Sequence, residues 1–453
     1  MVDYNWLGKR IIIYGYCSYF LFTLIALLPY VNSDYCYVDE ATLMVDARRL
    51  LAGEYHHRDF FGYWGSGNLY LIALVWRCLG QVSYPPIKLL TFITITFTAI
   101  LLVLITRQFT KRFWLSLLPA IIFANYFAHS FPFTNHHWFA SFTSMLFGLM
   151  LVRYLLTLRE RDLYCCGVSA GISIFFIMHE GVVNIIASIL MLITSAVLLD
   201  RKITNNSLLR RILIYLAGLT TILLPIIVFY LATGALTQYF YNTFIWPLGN
   251  YARAGNVNDI AWAIDLHNWR VTSAVRDPAL RAVHFFGTCA VIIALILPIL
   301  IAITGAALLT SPNTLITYYR IKPSVNLATE LATQGEALTK RYNYWVILAL
   351  MIWAGGFYAT PLLSQPRYSQ LIWGSLPMFI LGVFWIDSIW TACREAIGSR
   401  RVVAALLAFC LISFSVVALY KTDRIVSGDE SELMGLQSGR MSNHPAVDLI
   451  NRE

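Results

Sequence analysis

The sequence is dominated by long apolar runs that carry almost no charge. Runs of 18 or more predominantly apolar residues recur between Ile11 and Tyr420, and each is long enough to cross the hydrocarbon layer of a membrane as a helix. The chain is 58% hydrophobic and only 13% charged, whereas soluble domains carry about 25% charged residues. Such a chain folds in lipid, where its backbone polar groups are satisfied within helices.

The apolar runs predict an all-α integral membrane protein with about eleven transmembrane helices. The first run is too long for a signal peptide, and no small-residue cleavage pattern follows it, so it is predicted to be a retained span. The predicted spans are residues 11–31, 85–106, 113–132, 138–157, 163–178, 181–199, 211–233, 284–309, 343–362, 368–387 and 402–420.

The distribution of basic residues predicts which ends of the spans face the cytoplasm. If the short apolar segment Asn68–Leu79 lies at the outer interface, more than half of the 33 basic residues fall in cytoplasmic loops, as the positive-inside rule requires. This arrangement of the spans predicts a cytoplasmic N-terminus and a C-terminus outside. Residues 1–420 then form one polytopic domain, followed by a short tail, 421–453. Because these loops account for the formal charge of +9, no nucleic-acid partner is predicted.

Two predicted outer loops, residues 32–84 and 234–283, are far longer than ordinary connections, and loops of such length are usually functional. The second is rich in aromatic and polar residues, which suit either sugar rings or the membrane interface. The cytoplasmic segment Thr310–Arg341 has no nucleotide-binding glycine pattern, which argues against a cytosolic nucleotide-sugar donor. The eight cysteines show neither a disulfide framework nor metal-ligand spacing.

The first outer loop contains an acidic pair directly before a helical pattern. From Glu40 to Leu51, apolar residues recur at helical spacing, which predicts an amphipathic helix on the outer membrane surface that ends at Gly53. A carboxylate at this position, such as Asp39, can act as a general base towards an attacking hydroxyl. Alternatively, Asp39 and Glu40 serve only to stabilise the first turn of the helix, where acids are favoured.

The residues that follow give the loop a recognisable order. Three stretches of this loop resemble the first outer loop of the GT-C glycosyltransferases: Val38-Asp39-Glu40, Ala47 to Gly53, and Arg58-Asp59-Phe60-Phe61. The branch it is most similar to contains the dolichyl-phosphate-mannose protein mannosyltransferases and their bacterial relatives, including the lipid A aminoarabinose transferases. In those families an acidic residue just after the first span is the catalytic carboxylate, and the resemblance therefore implies that Asp39 is catalytic.

Two further stretches resemble these families, and two depart from them. Gly171–Gly181, which contains His179 and Glu180, is similar to a span that ends in a polar or basic residue before a glycine. Gln365–Tyr368 resembles a late arginine-tyrosine element, in which Arg367 would face the donor phosphate; a helix-end arginine snorkelling to the interface is the alternative. Trp64–Gly67 stands where many relatives carry a proline pair. The turn at Asn135–Trp138 lacks the acidic residue of some relatives.

The resemblance implies transfer of a sugar from a polyprenyl-phosphate donor to a hydroxyl acceptor on the outer side of the membrane. The compact loops favour a plasma (inner) membrane. The resemblance leaves open whether a divalent cation, Mg²⁺ or Mn²⁺, takes part, and the candidate ligands are Asp39, Glu40 and His136. His56 and His57 could likewise bind a substrate or a metal. Acceptor, sugar and oligomeric state are not predicted. The implied substrate-binding residues are Glu40, Arg58, Asp59, His179, Glu180, Arg367 and Tyr368.

Two other classes of function stay open. A polysaccharide polymerase or ligase would also use lipid-linked glycans outside the membrane, with arginines of the second long loop, Arg253–Arg281, as essential residues. A transporter or flippase would place ionisable residues near the middle of its spans. The spans here are poor in charge, and the candidate polar residues lie near their outer ends, which favours chemistry at a surface.

Overall fold

The computed structural model describes residues 4–32, 38–62, 65–110, 112–128, 133–199, 207–251, 323–334, 336–363 and 373–392. These residues form helices and no strand. In chain order the helices are α1 (Tyr4–Leu27), α2 (Val38–Leu51), α3 (Ser66–Leu79), α4 (Pro85–Thr106), α5 (Phe113–Ala120), α6 (His136–Thr157), α7 (Glu160–Phe176), α8 (Met178–Leu198), α9 (Leu208–Ala232), α10 (Leu236–Phe240), α11 (Val325–Gln334), α12 (Glu336–Leu363) and α13 (Leu376–Ala392).

Six helical stretches in the described residues are long and apolar enough to cross a membrane: Ile13–Val31, Pro85–Thr106, His136–Thr157, Met178–Leu198, Leu208–Ala232 and Glu336–Pro361. Within the described residues, the structure therefore agrees with an all-α protein that crosses the membrane several times. Shorter apolar helices occupy Ser66–Leu79, Phe113–Ala124 and Leu376–Asp387. The predicted spans 113–132, 163–178 and 368–387 overlap shorter helices, and 284–309 and 402–420 lie outside the described residues, so the total of eleven stays a prediction.

Helices α7 and α9 approach each other through glycines. A Cβ atom added to Gly167 of α7 would lie 2.1 Å from the carbonyl oxygen of Tyr215, and one added to Gly218 of α9 would lie 2.1 Å from that of Tyr164. Each glycine thus receives the backbone of the opposite helix, as small residues do where membrane helices pack closely. This contact fixes α9 against α7.

The turn between α7 and α8 corrects a boundary that the sequence placed at His179 and Glu180. The helical path breaks at Ile177, whose backbone is extended (φ −145°, ψ 118°), and α8 begins at Met178. Asn68 of α3 donates its side-chain amide to the carbonyl oxygen of Phe176, 3.1 Å away, and so satisfies a carbonyl at the end of α7. His179 and Glu180 consequently belong to the first turn of a helix.

Ion pairs that link different parts of the bundle are found at one of its ends. Arg153 at the end of α6 lies 3.3 Å from Asp162, and Arg210 at the start of α9 lies 2.9 Å from Glu160. At the same end, Arg112 before α5 pairs with Asp387 of α13 at 2.7 Å. Antiparallel helices place α2, α3 and the starts of α4, α6 and α8 at the opposite end, where the candidate site lies.

Candidate functional site

Helix α2 carries the acidic pair in its first turn and ends as predicted. Gly53 adopts a left-handed conformation (φ 91°), and the amides of Gly53 and Glu54 donate to the carbonyl oxygens of Leu50 and Arg49, both at 3.1 Å. This is the Schellman arrangement that terminates helices at glycine. The apolar face of α2 is buried in a cluster with α3: Leu43, Met44, Ala47, Leu69, Ile72 and Trp76.

Glu40 ties α2 to the turn before α6. Its side chain is completely buried, and its Oε1 accepts a hydrogen bond from the backbone amide of Thr134, 2.6 Å away. The hydroxyl of Thr134 in turn accepts a hydrogen bond from Thr91 of α4 at 3.1 Å. Asp39, the preceding residue, is half-buried. The acidic turn of α2 is thereby fixed to two helices of the bundle.

The turn at Thr134 leads directly into the histidine pair at the start of α6. Asn135 caps this helix, because its side-chain oxygen accepts the backbone N–H of His137 at 3.0 Å. His136 is buried, whereas the half-buried ring of His137 stacks on Trp373, with 4.2 Å between ring centroids. The contact between Glu40 and Thr134 therefore places the first turn of α2 next to the start of α6.

The first turn of α8 joins the same end of the bundle. Glu180 is buried, and its Oε2 accepts a hydrogen bond from the hydroxyl of Ser144, two turns into α6, at 2.6 Å. The side chain of His179 is exposed, and it lies close enough to His136 and His137 to interact with them electrostatically. Four sequence-predicted residues are thus brought to α6 and its preceding turn: Glu40, His136, His179 and Glu180.

Arg58 and Asp59 pair with each other instead of meeting Glu40. The Nε and Nη2 atoms of Arg58 donate to the two carboxylate oxygens of Asp59 at 2.9 and 2.8 Å, and the amide of Tyr55 donates to Asp59 at 2.7 Å. These hydrogen bonds lower the pKa of Asp59 and raise that of Arg58. Both side chains are at the surface, where they organise the turn after α2.

His56 and His57 form part of a buried hydrogen-bond network centred on Ser66, the first residue of α3. Ser66 Oγ lies 2.9 Å from His56 Nδ1 and 3.1 Å from His57 Nε2, and it accepts the phenol proton of Tyr230 at 2.6 Å. Asn242 donates to His57 Nδ1 at 3.3 Å. His57 Nε2 must then carry a proton and donate to Ser66, which in turn donates to His56 Nδ1.

This network requires both imidazoles to be neutral. Burial lowers the pKa of His57 to about 3 and that of His56 well below its usual value, with the neighbouring ring adding to the effect on His56. His57 also adopts a left-handed backbone (φ 70°). The pair therefore holds the loop after α2 against α3 and α9.

Gly65, next to Ser66, lies so close to α7 that a Cβ atom there would stand 1.9 Å from the carbonyl oxygen of Phe176. A larger residue at position 65 would therefore separate α3 from α7. Close backbone packing thus fixes the start of α3 beside the hydrogen-bond network of Ser66.

Three residues of this region were not singled out from the sequence: Lys88, Ser144 and Trp373. Lys88 is fully buried and is the single charged residue between Pro85 and Thr106. A charge within a membrane span is a recognised sign of function, so this signal was present in the sequence. Ser144 and Trp373 are ordinary residues of apolar segments, and only their tertiary contacts distinguish them.

Part of the predicted site lies outside the described residues. This applies to Arg367 and Tyr368 and to the arginines within 253–281. Within the residues that the structure does describe, no three His, Cys, Asp or Glu side chains are grouped so that they could hold a metal ion, and one oxygen of Glu40 is already bound to Thr134. The described residues therefore do not form a metal-binding set.

Comparison with known proteins does not establish a family. No family model matches the chain, and no curated protein matches it. Among solved structures, the chain is similar to the Archaeoglobus fulgidus oligosaccharyltransferase in the apo form, with 14% sequence identity and a TM-score of 0.49 over 90% of this chain. The chain spans about half the length of that protein, because the match covers 56% of it.

Proposed function

We propose that the protein is a membrane glycosyltransferase that moves one sugar from a polyprenyl-phosphate carrier to a hydroxyl acceptor, with Asp39 as the general base. The observation that carries the proposal is the hydrogen bond from Thr134 to Glu40. It holds the acidic turn of α2 against the start of α6, beside His136 and His137. The resemblance of residues 38–61 to the first loop of GT-C enzymes supplies the reaction class.

The chemistry follows from the position of a half-buried carboxylate at the end of a helical bundle. Asp39 accepts the proton of the acceptor hydroxyl while the hydroxyl oxygen attacks the anomeric carbon of the donor. The bond between that carbon and the phosphate oxygen breaks, and polyprenyl phosphate leaves with the bonding electron pair. Attack from the face opposite the phosphate inverts the anomeric centre. Arg367 would stabilise the leaving phosphate, because a guanidinium binds phosphate oxygens through paired hydrogen bonds.

The remaining site residues have roles that their surroundings suggest. The exposed His179 would contact the donor near its phosphate, whereas the buried Glu180 would hold the start of α8 in place through Ser144. The buried ring of Trp373 stacks on His137 and would hold this imidazole in place. We place the reaction at the outer face of a plasma membrane on the basis of the charge distribution among the loops.

The test is the release of free polyprenyl phosphate by purified protein in lipid. A panel of polyprenyl-phosphate sugars would be incubated with wild type and with Asp39→Asn, which preserves the size of the side chain and removes its basicity. Glu336→Gln serves as the control, because Glu336 is an exposed acid at the start of α12, outside the candidate site. Release from one donor by wild type and Glu336→Gln, with at least a hundredfold loss in Asp39→Asn, is expected from the usual contribution of a general base.

Two results would redirect the proposal. Normal turnover by Asp39→Asn would remove Asp39 from the role of base. If folded wild-type protein released nothing from any monophosphate donor but acted on diphosphate-linked glycans, the polymerase or ligase class would replace the transferase. Transport of a lipid-linked glycan without any bond cleavage would instead indicate a flippase.

A further inference from the structure

The segment that follows α9, residues 236–251, carries an exposed apolar surface that the proposed chemistry does not use. The segment consists of α10 and two short π-helical stretches, Tyr241–Ile245 and Pro247–Tyr251. Its exposed apolar residues are Phe240, Tyr241, Ile245 and Leu248. Because proteins rarely leave a group of large apolar side chains facing water, such a surface indicates contact with a membrane or with another protein.

The composition of the segment favours the membrane. No charged residue occurs between Arg211 and Arg253, so the uncharged stretch that begins in the candidate span of α9 continues through the whole segment. The segment is also rich in tyrosine, phenylalanine and tryptophan. Aromatic rings of this kind, tyrosine and tryptophan above all, are enriched where a membrane meets water.

The turn after α9 fixes the depth of the segment. Gly234 adopts a left-handed conformation (φ 71°), and the amide of Ala235 donates to the carbonyl oxygen of Tyr230 at 2.8 Å. This tight turn brings Tyr239 onto the last turn of α9, where its ring stacks on that of Tyr230 with 4.4 Å between ring centroids. The segment therefore begins at the level where a membrane span leaves the hydrocarbon layer.

The exposed side of α9 leads directly to the segment. Leu224, Val228 and Leu231 are exposed on this helix, and exposed apolar side chains of a membrane span contact lipid tails, which are as apolar as leucine. Leu231 lies only three residues before the turn at Gly234. A bilayer that covers α9 therefore reaches the start of the segment, which favours lipid over another protein as its partner.

The buried side of the segment packs against the loop after α2. The ring of Tyr239 meets that of His57 edge-on, with 5.3 Å between centroids, and Asn242 donates to His57 Nδ1 at 3.3 Å. Further along the segment, Trp246 meets the ring of Phe61 edge-on at 5.0 Å. One side of the segment is thus joined to the first predicted outer loop, and the other side is exposed.

We propose that residues 236–251 form an interfacial anchor, which binds the lipid surface and holds the loop after α2 at that surface. Phe240, Ile245 and Leu248 insert at the boundary of headgroups and acyl chains, while Tyr239 and Asn242 hold His57. Because the segment has no charge, the binding comes from buried apolar area and does not require anionic lipid. The proposal is independent of the reaction, since none of these residues takes part in the proposed sugar transfer.

The first test introduces a fluorescent non-natural amino acid into the full-length protein in nanodiscs of phosphatidylcholine. The label replaces Ile245 or Leu248, both of which are exposed, so it needs no repacking. Leu213, exposed on α9, is the lipid reference, and Glu336, exposed at the start of α12, is the water reference. Phosphatidylcholine with brominated acyl chains should quench the label at positions 245 and 248 far more than at 336, and iodide should quench it mainly at 336.

Two results of this test would overturn the proposal. Quenching by iodide at positions 245 and 248 as strong as at 336 would place the segment in water. Protection of both labels from iodide and from brominated lipid would mean that protein covers this surface, either a second copy of the chain or another partner.

The second test asks whether the anchor holds the loop after α2. The double variant Ile245→Asp/Leu248→Asp opposes insertion, because carboxylates are costly in lipid, and Gln238→Asp, at an exposed polar position of α10, is the matched control. Hydrogen exchange of the backbone amides of the loop is measured in the same nanodiscs. Exchange should become about tenfold faster in the double variant alone, since loss of an anchoring contact makes local opening easier.

Unchanged exchange in the double variant, or an equal change in Gln238→Asp, would show that lipid contact does not hold the loop and would overturn the role as an anchor. If the double variant does not fold, the fluorescence test still decides whether the segment binds lipid, because it needs no charged substitution.

Discussion

The carboxylate of Glu40 and the backbone amide of Thr134 are 2.6 Å apart, although 94 residues separate them in the sequence. Since Thr134 lies two residues before His136, this one hydrogen bond relates the acidic turn of α2 to the histidine pair of α6. Glu40 is fully buried, so water cannot replace the carboxylate. The geometry of the candidate site therefore depends on a side chain that the sequence assigned to substrate binding.

Replacing Glu40 by alanine should lower both stability and turnover. The buried amide of Thr134 would lose its acceptor, which typically costs about 1–3 kcal/mol. Glu40→Gln keeps an acceptor oxygen and should lose less stability than Glu40→Ala in thermal unfolding in detergent. Val45→Ala on the exposed face of α2 is the control, and equal losses in Val45→Ala and Glu40→Ala would contradict the assignment.

A second prediction concerns the hydroxyl that supports Glu180. Ser144→Ala removes the donor at 2.6 Å and leaves a buried carboxyl group short of a partner, so the free energy of unfolding should fall by about 1–3 kcal/mol. Ser141 offers a matched control one turn earlier on α6. Its buried hydroxyl has no hydrogen-bond partner in the described residues, and Ser141→Ala should be neutral or slightly stabilising. Similar unfolding midpoints for the two variants would count against the role of Ser144.

The histidine network predicts loss of stability in acid. The pKa of His57 in the folded protein is about 3, against an ordinary value of 6.5, so the unfolded chain binds a proton between these values and the folded chain does not. Stability is therefore fully present above about pH 6.5 and declines as the pH falls, by up to about 1.4 kcal/mol per pH unit for this group. His57→Asn, which tolerates the left-handed backbone, should show a shallower decline between pH 6.5 and 4. A decline as steep as that of wild type would refute this role.

The ionisation of Asp46 should make stability depend on pH in the opposite direction. Burial raises its pKa from 3.8 to about 6, so the folded protein retains a proton that the unfolded chain releases. Stability from this group is present below pH 3.8 and is lost as the pH rises to about 6. Asp46→Asn removes the ionisable group while keeping the shape of the side chain. The variant should unfold at a higher temperature than wild type at pH 7, and a lower unfolding temperature would mean that the ionised carboxylate is stabilising.

The glycine contact between α7 and α9 should tolerate no side chain. Gly218→Ala would place a methyl group 2.1 Å from the carbonyl oxygen of Tyr164, so the helices must separate or the variant must fail to fold. Gly355→Ala in α12 is the control, because nothing lies within 4 Å of the added carbon and alanine favours helix. Yields of monodisperse protein in detergent should fall for Gly218→Ala alone. Normal yield and unfolding temperature of Gly218→Ala would contradict this packing.

The local features of the chain followed from its sequence. Apolar length identified the spans that the structure describes, and helical periodicity with Gly53 identified α2 and its end, because these patterns depend on residues that are close in the chain. The boundary between α7 and α8 was wrong by a few residues. Glycine and polar residues near Gly181 favoured a turn there, whereas packing of Asn68 and Gly65 against Phe176 set the break at Ile177.

The roles of the polar side chains were decided by tertiary structure. Glu40 acquires its role from Thr134, far away in the chain. His56 and His57 acquire theirs from Ser66 and from Tyr230, which lies 164 residues beyond Ser66. A sequence pattern reports which residues can form a helix and which face is apolar. It does not report which distant backbone amide or hydroxyl a buried polar group will meet, since that depends on how the helices pack against one another.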